Sequence, residues 1–186
     1  MAKPNELSLQ FFIATVKQLL TAPQAFYRQL PRAGGYLAPL LFVLILSCTS
    51  LFLPVVGKSY ALIANGAPVS VLQPALGWGF VFSLIGIPLA VVGSGACFLI
   101  WKMLGSQQPY AVAFQCVATL AVLVPFAVLL AQIPLAWLGI CLWGLYLLVV
   151  ASVEVHKLKA WDAWLTFGAL GSGWILSRLM SGSYFG

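Results

Sequence analysis

The sequence predicts an all-α integral membrane protein, with five transmembrane helices preceded by short amphipathic interfacial helices. Composition is the first reason. Of 186 residues, 62% are hydrophobic and only 6% are charged, against about 25% in an ordinary soluble domain. The mean hydropathy is +1.05. The second reason is length: five long apolar runs follow one another, each close to the roughly 20 residues that a helix needs to cross a bilayer core. The third is pattern. Runs such as LLFVLIL at 40–46 lack the alternation of a barrel strand, and backbone groups in lipid must be satisfied within their own segment, which leaves helices.

Residues 1–35 are the most polar part and read as a cytoplasmic N-terminal segment. In LSLQFFIATVKQLL (7–20), Leu9, Phe12, Ile13, Val16, Leu19 and Leu20 fall near one face, which predicts an amphipathic helix lying in the interface. Its FFIATV patch is followed by Lys17 rather than a small-residue cleavage site, so no cleavable signal peptide is expected. In TAPQAFYRQL (21–30), Thr21 and Gln24 have capping-box spacing and Pro23 suits a first turn. This predicts a second short surface helix. Gly34-Gly35 then breaks the chain before the transmembrane domain, 36–181.

Spans are predicted near 36–56, 78–101, 112–132, 134–153 and 161–180. Residues 57–77 form the longest expected loop, with proline and Asn-Gly turn signals. Shorter links follow at 102–111, at Gln132-Ile133-Pro134 and at 154–160. Gly86/Ala90, Gly93/Cys97, Gly168/Ser172 and Ala169/Gly173 put small residues four apart, which suits close helix packing. Pro88 and Pro125 are expected to kink their helices. Trp78, Trp101, Trp161, Trp164 and Tyr36 fall at span ends, as an aromatic belt does, while Trp137 and Trp143 lie inside the fourth span.

Charge sets orientation. With the N-terminus inside, seven basic residues lie on the cytoplasmic side and two, Lys58 and Arg178, on the other. The positive-inside rule therefore predicts a cytoplasmic N-terminus and an external C-terminus. The net charge of +6 does not indicate nucleic acid, because the basic residues are scattered and no basic face with interleaved aromatics forms. Lys17, Arg28, Arg32, Lys157 and Lys159 are instead the candidate basic cytoplasmic face, for anionic lipid or a partner. Membrane lipids are the expected partners, with a membrane-protein partner or a second copy of the chain beside them.

No catalytic, metal or cofactor site is expected. Cys48, Cys97, Cys116 and Cys141 sit in apolar runs without a CxxC motif and read as small hydrophobes. ASVEVHKLKAWDAW (151–164) holds Glu154, Asp162 and the only histidine, His156. A metal-assisted hydrolase needs about three ligands, and on a helix Glu154 and His156 point roughly 200° apart. The stretch reads as a solvated turn between spans. Ser47, Ser50, Ser94 and Ser172 have no histidine at comparable depth to activate them. Gly-Ser-Gly at 93–95 and 171–173 lacks the lysine of a phosphate loop. A small-solute transporter or channel is the alternative, motivated by the proline kinks and by Gln115 early in the third span. The lack of an ionisable residue in mid-span speaks against it.

LLTAPQAFYRQL, GGYLAPLLFVLIL, FQCVATLAVLVP, IPLAWLGICLWGLYLLVVA and VHKLKAWDAW occur in that order. This arrangement is similar to bacterial members of the Yip family over roughly residues 10–180. Pro23, Phe26, Gln115, Pro125, Trp143, His156, Lys159 and Ala160 are its anchors. The resemblance implies a five-span protein of the bacterial inner membrane with a cytosolic N-terminus and no catalytic residues. Eukaryotic relatives bind Ypt/Rab GTPases and act in vesicle traffic through a longer cytosolic N-terminal region with an acidic DLYGP-type motif. This chain lacks that motif, so no GTPase-binding residue carries over.

Overall fold

The computed structural model describes residues 9–30, 35–66, 70, 72–130, 133 and 136–180. Among them are helices and turns and no strand. The helices are α1 (Leu9–Thr21), α2 (Pro23–Gln29), α3 (Leu37–Ala64), α4 (Leu72–Met103), α5 (Tyr110–Thr119), α6 (Leu123–Leu129), α7 (Ala136–Glu154) and α8 (Ala160–Met180). Among the described residues, three stretches are long and apolar enough to cross a membrane: Leu84–Met103, Tyr110–Leu129 and Ala136–Glu154. The chain is thus an all-helical, multi-pass membrane protein.

The expected third span has an internal break with a local cause. A 3-10 turn at Leu120–Val122 joins α5 to α6, and Pro125 follows it. Proline has no N–H for the carbonyl four residues back, here Ala121, and its ring crowds that carbonyl. The tighter turn relieves the conflict where it arises.

The long loop expected at 57–77 is mostly helix. α3 continues through Pro54 and Gly57 to Ala64, and α4 begins at Leu72. The stop is Asn65-Gly66, where Gly66 has φ +90 and its amide donates to the Ile63 carbonyl at 2.9 Å. Lys58, expected in the loop, stands on α3. A helix does not have to end where the hydrocarbon ends.

The capping box expected at Thr21 does not form. α1 runs through Thr21, whose hydroxyl donates back to the Lys17 carbonyl at 2.9 Å. The N-cap of α2 is Ala22, without a side-chain cap, and Pro23 occupies the first turn as expected. The apolar face of α1 and α2 is covered by the bundle. Leu19 and Tyr27 are fully buried, and Phe12, Val16 and Leu20 pack on the core; Ile13, on the same predicted face, is exposed. The Phe12 ring meets Phe42 of α3 at 5.2 Å.

Glycines decide how closely some helices approach. A Cβ on Gly86 would meet Ser47 Oγ at 2.5 Å, so α4 needs a bare backbone against α3. On α8 the close approach is at Gly171, against the Leu145 side chain of α7, while Gly168 and Gly173 have open space. The small-residue pattern therefore named the right position on α4, Gly86, and on α8 the right helix but the wrong positions. Side chains such as Leu89, Val92, Leu99 and Leu170 remain outward and apolar, as lipid-facing positions should.

Much of the core gathers at one end. Trp101 closes α4, Val112, Ala113 and Cys116 open α5, Val149–Ala151 lie in the last turns of α7, and Ala163 and Phe167 lie in the first turns of α8; all are buried.

Candidate functional site

The ends of α4 and α7 are finished by turns that bring their side chains together. Beyond α4, Gly105 adopts φ +94. Its amide donates to the Lys102 carbonyl at 3.0 Å, and the next amide, Ser106, donates to the Trp101 carbonyl at 2.9 Å. This is the Schellman arrangement, in which glycine takes the left-handed position without steric cost. At the end of α7, the amides of Val155 and His156 both donate to the Ala151 carbonyl, at 3.0 and 3.3 Å. Lys157 then adopts φ 57, unusual outside glycine, and α8 starts at Ala160.

Between these turns sits a polar cluster. His156 is only 4% exposed. Its ring stacks on Trp101, with centroids 3.9 Å apart and planes at 20°. Trp101 Nε1–H donates to Ser152 Oγ at 2.7 Å, and that hydroxyl donates to the Leu148 carbonyl at 2.7 Å. Ser106 Oγ lies 2.7 Å from His156 Nδ1 and accepts the Gln108 amide at 3.2 Å.

The hydrogen bonds assign the tautomer. If Ser106 donates to Nδ1, the ring proton sits on Nε2 and one group, Nε2–H, is left over. If Nδ1–H donated instead, both the buried Ser106 hydroxyl proton and Nε2 would lack partners among the described residues. Unpaired buried polar groups each cost about 1–3 kcal/mol, so the Nε2–H tautomer is preferred. Burial, with the nearby Lys102 charge second, pushes the His156 pKa down from 6.5 to about 4, and the ring is neutral near pH 7.

A depressed histidine stabilises the fold fully above its ordinary pKa, and that contribution is lost as pH falls through the window between the two values. Stability is therefore expected to drop between about pH 6.5 and pH 4. His156→Gln should show a weaker drop over the same window. Unfolding midpoints in detergent across pH 7 to 4 test this; parallel curves for the two proteins would refute it.

The expected solvated turn is thus a turn, but its histidine is buried. Trp101, expected in the aromatic belt, is 0% exposed and inside the cluster, whereas Trp161, Trp164 and Tyr36 are exposed. Glu154 pairs with Arg28. Its carboxylate accepts from Arg28 Nε and Nη2, both at 2.9 Å, which ties α2 to α7. His156 and Asp162 line one cleft of about 560 Å³ with Gly105, Gln107, Lys157 and Lys159. Lys17 is elsewhere, in an apolar groove with Leu46, Val122 and Pro125. Arg32 lies outside the described residues.

Ser106 and His156 form the hydroxyl–imidazole pair that sequence reasoning missed. The two are 50 positions apart. The available signal was that Ser106 is the only hydroxyl residue in 104–109. The pair does not read as a catalytic one, since Ser106 is buried and no carboxylate orients the ring from Nε2 among the described residues. Ser50 and Ser172 bond back to their own helices, and Ser94 bonds both to its own helix and to the Tyr110 hydroxyl. Among the described residues, no group of three or more His, Cys, Asp or Glu side chains could hold a metal ion. The solute path past Gln115 finds no support either. Gln115 is 7% exposed and neither cleft reaches it.

No curated protein and no solved structure matches the chain. The family model for the Yip1 domain matches residues 17–177, from α1 to the last turn of α8 and across the whole cluster. With helices of this length and apolarity, and a match over most of its sequence, the chain belongs to the Yip1 domain family.

Proposed function

We propose that the chain is a non-enzymatic, five-span protein of the bacterial inner membrane, with its N-terminus cytoplasmic and its C-terminus external. It organises membrane lipids or partner proteins through its helix faces and a basic cytoplasmic surface. The observation that carries this reading is the crowding of charge where α4 and α7 finish. Lys102, Lys157 and Lys159 are exposed there, beside the Arg28–Glu154 pair. Exposed Trp161 and Trp164 follow at once on α8, as headgroup-level tryptophans do. The lopsided charge count supports the orientation.

A basic residue near an anionic surface contributes about 1 kcal/mol. Replacing both Lys157 and Lys159 by Glu is therefore expected to lower the enrichment of anionic lipid around the protein by tenfold or more. Native mass spectrometry of protein released from mixed-lipid nanodiscs reads that enrichment, and a tag on the C-terminus reports orientation in cells. Enrichment and tag accessibility both equal to wild type would remove this function for the basic surface.

A further inference from the structure

The cleft between the α4–α5 turn and the α7–α8 turn holds more than a diffuse positive surface requires. His156 lines it, is more than nine-tenths buried, and has an Nε2 without a partner among the described residues. The Ser106 and Gln108 hydrogen bonds leave that atom carrying a proton, as a donor without an acceptor. Two lysine residues, Lys157 and Lys159, line the same space. The first turn of α8 begins at Ala160, where backbone amides have no acceptor within the helix and the helix dipole is positive. A buried donor, two exposed lysines and free amides around one space are the chemistry that holds a phosphate.

We propose that this cleft binds one phosphate group, carried by the headgroup of a membrane phospholipid, through His156 Nε2–H, Lys157, Lys159 and the first amides of α8. Asp162, also on the cleft wall, selects among phosphates. Its negative charge disfavours a doubly charged monoester and tolerates a singly charged diester, the form found in a phospholipid headgroup. Stacking on Trp101 and the Ser106 hydrogen bond hold the ring in place before the ligand arrives, which reduces the ordering cost of binding. Lys157, left-handed in the turn after α7, is followed by Lys159 just before the start of α8. The proposal rests on the reading that this end of the bundle meets lipid headgroups, and it adds a stoichiometric site to what would otherwise be a diffuse attraction.

The chain has a single histidine, so its ring nitrogens give one clean pair of NMR signals. Full-length protein, labelled with ¹⁵N-histidine in phospholipid-free detergent, is titrated with short-chain phosphatidylglycerol and, separately, with inorganic phosphate. The expected result is an Nε2–H tautomer whose signal shifts saturably at one lipid per chain, with inorganic phosphate at least tenfold weaker. Lys157→Gln/Lys159→Gln, at exposed positions that leave the fold intact, should weaken the lipid response at least tenfold. Ser106→Ala should release the tautomer preference and weaken the response as well. An Nδ1–H tautomer in the wild type, or ring signals indifferent to lipid, would overturn the site. Equal responses to lipid and inorganic phosphate would overturn the lipid assignment. Anionic lipid enriched in nanodiscs around a protein whose histidine signals stay still would sink the cleft alone and leave the basic-surface reading standing.

Discussion

Trp101→Ala is expected to cost about 3–5 kcal/mol of stability, the range for emptying a large buried aromatic site. Trp101 is fully buried. Three contacts go with it: the stack on His156, the hydrogen bond to Ser152, and the tilted packing on Phe167 at 6.0 Å. In lipid the loss is one of packing more than of water exclusion, because the tails outside are as apolar as the core. A cavity at this place still deprives its walls of contact atoms. Trp101→Phe separates the terms. Ser152 keeps its bond to the Leu148 carbonyl, so losing the indole N–H should cost only about 1 kcal/mol, plus the smaller ring. Reversible unfolding in mixed micelles checks both variants. If Trp101→Ala unfolded at the wild-type midpoint, the cluster could not be what joins α4 to α7 and α8.

Tyr27→Ala should free α1 and α2 from the bundle without unfolding the remainder. Tyr27 is 2% exposed, and its hydroxyl shares a 2.7 Å hydrogen bond with Thr119, 92 positions away. The expected cost, again about 3–5 kcal/mol, corresponds to more than a hundredfold rise in local opening. Backbone amide exchange over 9–30 reads that rise directly. Tyr27→Phe keeps the ring and loses the hydroxyl contact, so its effect should be near tenfold. Thr119 still donates to the Cys116 carbonyl at 2.6 Å in that variant. Exchange in Tyr27→Ala that matched wild type would show that the two helices are held by lipid after all, the interfacial arrangement that their amphipathic sequence suggested.

The two experiments mark where a linear reading of this chain stops. Leu19 and Tyr27 sit on short amphipathic segments, and an apolar stripe says only that something apolar covers it. Lipid and a neighbouring helix satisfy the stripe equally well. Trp101 shows the same ambiguity: a tryptophan at a span end suits the headgroup region, and only the arrival of the α7–α8 turn above it makes it core. The glycines are similar. Gly168 and Gly173 had the spacing, but the close approach falls at Gly171, because the rotation of α8 about its axis is set by α7 and not by its own sequence.

The sequence by itself determined the all-helical membrane class, the order of the apolar helices and the turn holding His156. Those depend on apolarity over about 20 residues and on local stop signals, which are properties of neighbours along the chain. Tertiary structure alone decided that His156 would be buried, that Ser106 would bond it across 50 residues, and that Glu154 would turn to Arg28 across 126. Those pairings depend on the axial stagger of α4 against α7 and on where α2 docks. Both are fixed by the packing of side chains far apart in sequence, and no local pattern encodes them.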